Sequence, residues 1–221
     1  MQVTGKEERN GKSAWDTLWE YAKSILIALI LALFVRAFIV QAFKIPSGSM
    51  IPTLLVGDHI LVSKFAYDVK VPFFDTVIWH RADPKRKDVV VFKYPLDPSK
   101  DFIKRVIGLP GDKILIRNKK VYINDKLLVE PYVQHTDPRV FPADASPRDN
   151  LGPLRVPPHS LFVMGDNRDE SYDSRFWKFV DYSALKGKAF IIYWSWNGKG
   201  SMNPNPDKFF IRWNRIGKLI R

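Results

Sequence analysis

The feature that most limits how this chain can fold is a long apolar run near its start, over residues 24–43. As a helix this run would be about 30 Å long, which matches the hydrocarbon thickness of a bilayer. One charge, Arg36, interrupts it near the far end, from where a long side chain can reach the headgroups. The sequence therefore predicts a polar N-terminal segment over 1–21 and a single transmembrane anchor over 22–43.

A cleavable signal peptide is the alternative interpretation of the same run. Residues 24–35 have the length of a signal-peptide apolar core, and Val40-Gln41-Ala42 resembles a small-residue cleavage site. The long polar lead and the position of Arg36 between these two parts argue against cleavage. Lysines and arginines on both sides of the run favour a cytoplasmic N-terminus only weakly.

Beyond Met50 the chain breaks into short segments that are rich in β-branched and aromatic residues and separated by turn signals. These segments predict strands over 58–64, 88–94, 102–107, 113–117, 121–123, 160–164, 189–194 and 209–213. Two short polar stretches, Asn118-Lys119-Lys120 and Asn124-Asp125, are typical of hairpin turns. The predicted fold class is mainly β, with one N-terminal transmembrane helix followed by an antiparallel β-sheet domain over 44–221. Within it, the proline-rich residues 131–158 predict an irregular excursion, either a lid or a surface loop.

Composition excludes several kinds of chemistry. The chain has no cysteine, which rules out disulfides, thiol catalysis and cysteine-based metal sites. Its four histidines lack metal-ligand spacing, so we expect no metal and no other cofactor. The net charge of +12 suits nucleic acid or an anionic membrane surface, and the absence of a nucleic-acid-binding motif favours the membrane. A solvated basic face without a partner is the alternative.

Residues 45–54 place two serines, Ser47 and Ser49, on either side of Gly48 and between two prolines. Proline restricts its own backbone and that of the preceding residue, whereas glycine lets the chain turn sharply. The stretch predicts a stiff loop that presents two hydroxyl groups in a small volume. Taken alone, the stretch is more simply interpreted as an ordinary turn.

Lys104 lies in an apolar stretch that predicts a strand. Strand alternation places its side chain on the same face as Phe102 and Val106. Burial on that face would penalise the ammonium form and lower the pKa of Lys104, so that the amine could act as a general base. A lysine that extends from a strand edge into solvent is the simpler alternative.

Three motifs, over residues 45–54, 101–112 and 164–177, follow the apolar segment in this order and together resemble the bacterial type I signal peptidases. The likeness runs from about Arg36 to Val180. Members of that family cleave secretory signal peptides with a serine nucleophile and a lysine general base. The resemblance implies a membrane-bound serine endopeptidase that cuts its substrate after a small residue.

The resemblance also implies a role for individual residues. Ser49 would be the nucleophile and Lys104 the base. The Ser47 hydroxyl and the Ser49 backbone N–H would form the oxyanion hole, and Ser171 would orient the lysine. The residues that would line the shallow substrate pockets are Ile45, Pro46, Met50, Phe102 and Ile103. The residues that would support the site are Asp166, Asn167, Arg168, Asp173 and Arg175, the last two as an ion pair.

Location and partners follow from the same resemblance. They are the bacterial inner membrane with the catalytic domain on its outer face, secretory preproteins as substrates, and phospholipid. The secretion machinery is a further candidate partner, and nucleic acid is not one. The chain departs from the family pattern at Lys87, where a glycine is expected in a turn.

Three alternatives stay open at this stage. A Ser/Lys protein could cleave itself, and a non-catalytic membrane-tethered β-domain could bind peptides or lipid headgroups. A histidine triad is a third, because the sequence cannot place the four histidines relative to Ser49. They are His59, His80, His135 and His159.

Overall fold

The computed structural model describes residues 14–35, 39–70, 77–197 and 210–221. Most of the predicted polar segment over 1–21, together with Arg36, lies outside these ranges. Helix α1 spans Ala14–Phe34. Its stretch Thr17–Phe34 is the one helix in the described ranges that is long and apolar enough to cross a membrane, and none of that stretch is buried in the protein.

The predicted C-terminal end of the apolar helix is wrong. Helix α1 ends at Phe34, and Val40–Lys44 forms strand β1, which pairs antiparallel with β2 (Asp58–Ser63). This pairing brings Phe43 against a buried cluster of the sheet. A short apolar run has no periodicity that separates a membrane helix from a half-buried strand, so composition alone extends the helix too far. The β-domain therefore begins with β1, inside the segment assigned to the anchor.

The remaining elements of the described ranges are mostly strands. They are β3 (Asp68–Lys70), β4 (Val77–His80), β5 (Val89–Tyr94), β6 (Asp97–Gly108), β7 (Lys113–Arg117), β8 (Lys120–Ile123), β9 (Lys126–Leu127), β10 (Leu151–Arg155), β11 (Ser160–Met164), α2 (Ser174–Trp177), β12 (Val180–Asp181) and β13 (Leu185–Ser195). One sheet has seven strands in the order β1-β2-β13-β5-β6-β11-β12, a second has the order β10-β7-β8-β9, and β3 pairs with β4. All pairings between these strands are antiparallel, which confirms the predicted fold class.

The turn chemistry of the predicted hairpins is confirmed. Asn118 and Lys119, between β7 and β8, both have positive φ, and so do Asn124 and Asp125 between β8 and β9. Two consecutive positive φ values are what a two-residue type I′ turn requires. Lys87 also has a φ of 75°, so the position where the family pattern has glycine does adopt the left-handed conformation that favours glycine.

The strand predicted over 209–213 is wrong. Residue 209 lies outside the described ranges, Ile211 makes an isolated bridge to Trp196, and Trp213–Arg215 is a 3₁₀ turn. Two backbone hydrogen bonds accompany this bridge, from Arg212 N–H to the Ser195 carbonyl at 2.9 Å and from Asn197 N–H to the Phe210 carbonyl at 3.2 Å, and side chains add to them. Arg215 Nε donates to Asp58 Oδ1 at 3.0 Å, and its Nη2 donates to the Thr53 carbonyl at 2.9 Å. The apolar residues here therefore pair through a single bridge and do not form a strand.

Residues 131–158 are irregular apart from β10. The backbone N–H groups of Thr136 and Asp137 each donate to Asp169 Oδ2 at 2.8 Å, and Arg175 Nη1 donates to the Arg148 carbonyl at 2.8 Å. These bonds tie the excursion to the motif over 164–177. They favour a fixed surface loop over a lid.

Strand β6 runs between two buried layers. Val106 packs in a cluster with Phe92 and Trp177, whereas the next residue, Ile107, packs with Phe162 in another. This alternation fixes the direction in which every side chain of the strand points. Lys104 therefore shares the face of Val106, as predicted.

Candidate active site

The motifs over 45–54 and 101–112 meet at Lys104. Its Nζ donates a hydrogen bond to Ser49 Oγ at 2.7 Å and another to the Ile103 carbonyl at 3.0 Å. Lys104 is 4% exposed and Ser49 is 8% exposed. The aromatic ring of Phe102 lies 5.4 Å from the ammonium. A serine and a lysine that lie 55 positions apart in the chain are thus hydrogen-bonded to each other in a buried environment.

Burial changes the proton affinity of this lysine. Desolvation lowers the pKa of Lys104 to about 8 and is the largest cause of the shift. The carboxylate of Asp173 acts in the opposite direction, and the guanidinium of Arg175 offsets it. At neutral pH a lysine with such a pKa is unprotonated in about a tenth of the molecules, compared with a few in ten thousand for a free lysine.

Arg105, the neighbour of Lys104, points to the opposite side of the strand and holds the three motifs together. Its Nε and Nη2 donate to the two carboxylate oxygens of Asp166 at 2.7 and 2.6 Å. Thr53 Oγ1 donates to the same carboxylate at 2.6 Å, and Arg105 Nη1 donates to the carbonyl of Arg221 at 2.9 Å. A buried bidentate pair has defined geometry, so it positions the backbone of Lys104 relative to the serine loop.

The segment after β11 braces the serine directly. The backbone N–H of Asn167 donates to the Ser49 carbonyl at 3.1 Å, and Asn167 Nδ2 donates to the Gly48 carbonyl at 3.2 Å. Gly165 lies so close that a Cβ there would overlap both Ser171 Oγ and the Ser49 carbonyl oxygen. Close packing of backbone against backbone therefore fixes where Ser49 stands.

The predicted ion pair is present and fully buried. Arg175 Nε donates to Asp173 Oδ1 at 2.8 Å, and Arg175 Nη2 donates to the carbonyl of Ser171 at 3.3 Å. Arg168 donates through Nη1 to Glu130 at 2.9 Å. Together these bonds support the backbone on which Ser171 is carried.

Ser171 itself is 5% exposed, and its Oγ has no hydrogen-bond partner among the described atoms. A Cβ atom built at Gly165 would lie 2.2 Å from Ser171 Oγ, so this hydroxyl packs closely against the glycine. The role of Ser171 in orienting Lys104 stays a prediction, because no hydrogen bond joins the two side chains here.

The predicted oxyanion and substrate residues divide by exposure. Ser47 and Pro46 are exposed on the loop, next to the buried Ser49. Phe102 and Ile103 are partly buried beside Lys104. Ile45 and Met50 lie in the core beneath the loop, with 2% and 0% of their surface exposed. Ile45 and Met50 could therefore shape the substrate pockets only by supporting the loop from below. The roles of the oxyanion and substrate residues stay predictions.

The histidines do not form a triad with Ser49. His59 Nε2 accepts from Trp196 Nε1 at 3.0 Å, His80 pairs with Asp68 at 2.8 Å, and His135 lies 3.5 Å from Asp169. In the described ranges none of the four histidines hydrogen-bonds to Ser49. The described side chain that hydrogen-bonds to Ser49 Oγ is Lys104, which therefore stays the predicted base.

Sequence reasoning missed four residues of this arrangement: Thr53, Arg105, Gly165 and Glu130. Arg105 lies inside the motif over 101–112, but its partner Asp166 is 61 positions away. Thr53 and Gly165 lie inside the recognised motifs, and the glycine after an apolar strand was a signal of close approach. Glu130 carries no signal of that kind, because its partner Arg168 is 38 positions away.

We expect Gly165→Ala to lower turnover strongly while the protein still folds. Its φ is not in the left-handed region, so the added methyl group acts through overlap with Ser49 and Ser171. A displacement of about 1 Å at a reacting group typically costs about 10²-fold in rate. Steady-state kinetics on a peptide substrate measure this effect, and thermal unfolding checks the fold.

Gly111→Ala is the matched control. Gly111 has a φ of +84° and no neighbour within 4 Å of an added Cβ, so the substitution should cost about 1–2 kcal/mol of stability through local backbone strain and leave turnover unchanged. Normal turnover in Gly165→Ala would show that this close approach does not position the serine.

Comparisons with known proteins show which family the chain resembles. The chain matches the family described as signal peptidase, peptidase S26, over residues 18–194. Signal peptidase I of Pseudomonas aeruginosa is 39% identical over 219 residues, which cover 85% of this chain and 77% of that protein. The probable signal peptidase I-2 of Synechocystis is 36% identical over 199 residues, covering 87% and 79%.

A crystal structure of a signal peptidase I from Enterococcus faecalis V583 has 32% identity and a TM-score of 0.39, with 48% of this chain and 97% of that chain covered. The family match extends over most of the chain and includes Ser49, Lys104 and Ser171. The chain belongs to the signal peptidase family, peptidase S26.

Proposed function

We propose that this chain is a membrane-bound serine endopeptidase that removes N-terminal signal peptides from secretory preproteins, cutting after a small residue. The observation that carries the proposal is the contact of 2.7 Å between Lys104 Nζ and Ser49 Oγ in a buried environment. Membership of the signal peptidase family supplies the substrate class. No cofactor is needed for this chemistry.

The reaction follows from the geometry of the pair. A neutral Lys104 accepts the hydroxyl proton of Ser49 while Oγ attacks the carbonyl carbon of the scissile bond. The Ser49 backbone N–H and the Ser47 hydroxyl donate to the oxyanion that forms. The Lys104 ammonium then gives its proton to the leaving amine. Water hydrolyses the acyl-enzyme with Lys104 again as the base, and this step restores Ser49.

An extended substrate has a strand edge to bind. Strand β11 pairs with β6 only at Arg105, Val106 and Gly108, whereas β5 pairs with β6 as far back as Asp97. The part of β6 just before Lys104 therefore has a strand neighbour on one side only, within the described ranges. A preprotein chain could add to that edge by backbone hydrogen bonds, with Phe102 and Ile103 beside it.

Helix α1 would anchor the enzyme in the bacterial inner membrane, with the β-domain on the outer face. Its length, apolar surface and lack of burial against the protein support this role. Helix α1 ends at Phe34, so a short segment that includes β1 separates it from Ser49 in the chain. We include the secretion machinery as a candidate partner, because preproteins emerge from it at the same membrane.

The test is cleavage of a purified preprotein by the detergent-solubilised full chain, with the products identified by mass spectrometry. We expect a single cut after a small residue, and no cut in a matched preprotein whose −1 residue is replaced by a bulky one. A Ser49→Ala preparation made in parallel is the blank for contaminating peptidases. Binding without cleavage would favour the non-catalytic β-domain, and cleavage of the chain's own polypeptide alone would favour the self-cleaving alternative.

A further inference from the structure

The hairpin formed by β3 and β4 leaves its apolar side chains uncovered. These two strands pair with each other and with neither of the larger sheets. In β4, Val77 is 45% exposed, Ile78 65% and Trp79 63%. Adjacent strand residues point to opposite faces, so both faces of β4 present apolar groups. A two-stranded hairpin is marginal in water unless something packs against it.

The hairpin starts at the corner of the domain that faces α1 across an open cavity. The end of β2 pairs with the start of β1, and the N–H of Lys64 donates to the Ile39 carbonyl at 3.1 Å. A cavity of about 1000 Å³ separates this corner from the helix and is lined by Leu31 and Val35 on one side and by Lys64 on the other. The C-terminal half of α1 thus faces the end of β2.

Both ends of the hairpin are fixed close to that corner. The N–H groups of Arg81 and Ala82 donate to the carbonyl of Tyr67 at 2.7 and 3.2 Å. Tyr67 is buried and follows Lys64 by three residues, so the base of the hairpin lies within about 11 Å of Lys64 along the chain. The exposed apolar residues therefore extend from the part of the β-domain nearest to α1.

We infer that the β3–β4 hairpin inserts Ile78 and Trp79 into the lipid interface beside α1, as a second membrane contact. This inference rests on the proposed membrane-spanning role of α1. Tryptophan is enriched at membrane interfaces, and neighbouring aliphatic side chains enter the acyl boundary. Lys64 and the exposed Arg81 stand at the base of the hairpin, where lipid phosphates would lie.

Lipid fits this surface better than a second protein does. A protein partner that packs on a two-stranded sheet covers one face, whereas apolar groups are exposed on both faces of β4. An interface of lipid chains and headgroups surrounds an inserted hairpin and covers both. The second contact would hold the β-domain at a defined height, with Ser49 close to the membrane surface.

The absence of cysteine gives a direct test, because one introduced thiol can be labelled uniquely. Full-length Ile78→Cys would be labelled with a fluorophore and reconstituted in vesicles of phosphatidylcholine and phosphatidylglycerol that contain nitroxide-labelled lipid. Val129→Cys is the control, since Val129 is a similarly exposed aliphatic residue (73%) beyond β9. Ile30→Cys in α1 reports whether the helix is in the bilayer.

We expect the label at residue 78 to be quenched at least about twofold more than the label at residue 129. Equal quenching at 78 and 129, with strong quenching at 30, would overturn the hairpin contact and leave the anchor intact. Weak quenching at all three positions would instead contradict the anchor itself, and with it the proposed membrane-bound function.

A functional readout accompanies the quenching. The double variant Ile78→Ser, Trp79→Ser should cleave a vesicle-embedded preprotein about tenfold more slowly, while a short soluble peptide in detergent is cleaved at the wild-type rate. An equal fractional loss on both substrates would contradict a role that is specific to membrane-embedded preproteins. Wild-type rates on both would contradict the role of the hairpin.

Discussion

Lys104→Arg should be as inactive as Lys104→Ala, although arginine keeps the positive charge. The base must lose its proton before Ser49 can transfer one to it, and a guanidinium does not deprotonate in proteins. General-base catalysis contributes about 10²–10⁴-fold to a rate, and we expect losses of at least about 10³-fold in kcat for both variants. Steady-state kinetics on a preprotein and on a short peptide measure the loss.

The pH dependence of the wild-type enzyme follows from the same residue. Desolvation lowers the pKa of Lys104 to about 8, and the neutral amine is the active form. The value of kcat/KM, which reports the free enzyme, should therefore rise with pH and level off above about 8. The sign would be opposite for a group that must be protonated to act.

Lys113→Arg is the matched control for this experiment. Lys113 is a strand lysine that pairs with Asp125 on the surface at 2.8 Å, so its replacement should leave both rate and pH profile unchanged. A Lys104→Arg enzyme with near-normal turnover would end the Ser/Lys mechanism. A pH profile governed by a pKa near that of free lysine would contradict the burial argument.

Local patterns in the sequence predicted the parts of the site that depend on a single element. Alternation along β6 placed Lys104 on the face of Val106, because a strand has a fixed period of two. The hairpin turns were also predicted from local sequence, because two consecutive positive φ values favour particular residue types. These features need no knowledge of distant partners.

The parts that were not predicted depend on contacts between distant residues. Arg105 pairs with Asp166, 61 positions later, and no local pattern indicates that partner. The end of α1 was misplaced because β1 is defined by its pairing with β2 and not by its own composition. The hairpin of β3 and β4 was also missed. Its strands are short, and β4 is exposed on both faces, so it shows no alternation of buried and exposed residues.

Tertiary packing also determines which charges lie near Lys104, and strand alternation does not predict them. Strand periodicity says that Lys104 faces inward, yet its pKa depends on charges carried by another motif. Asp173 raises the pKa of the lysine, and its ion-pair partner Arg175 lowers it. The position of that ion pair relative to Lys104 is a result of how α2 packs on β11 and not of any pattern in either segment.

Ser47→Ala should lower kcat by about 10²–10³-fold, the usual cost of removing one oxyanion donor, with little change in KM. Ser47 is exposed on the loop two residues before the buried Ser49 and makes no hydrogen bond in the described ranges, so its hydroxyl is free to turn toward a bound substrate. Ser47→Thr keeps a hydroxyl on the same carbon and should retain most of the activity. Ser99→Ala, at the exposed start of β6, controls for the loss of a surface serine. Equal activities of the Ala and Thr variants at position 47 would remove this residue from the oxyanion hole and leave the Ser49 N–H as the donor to the oxyanion.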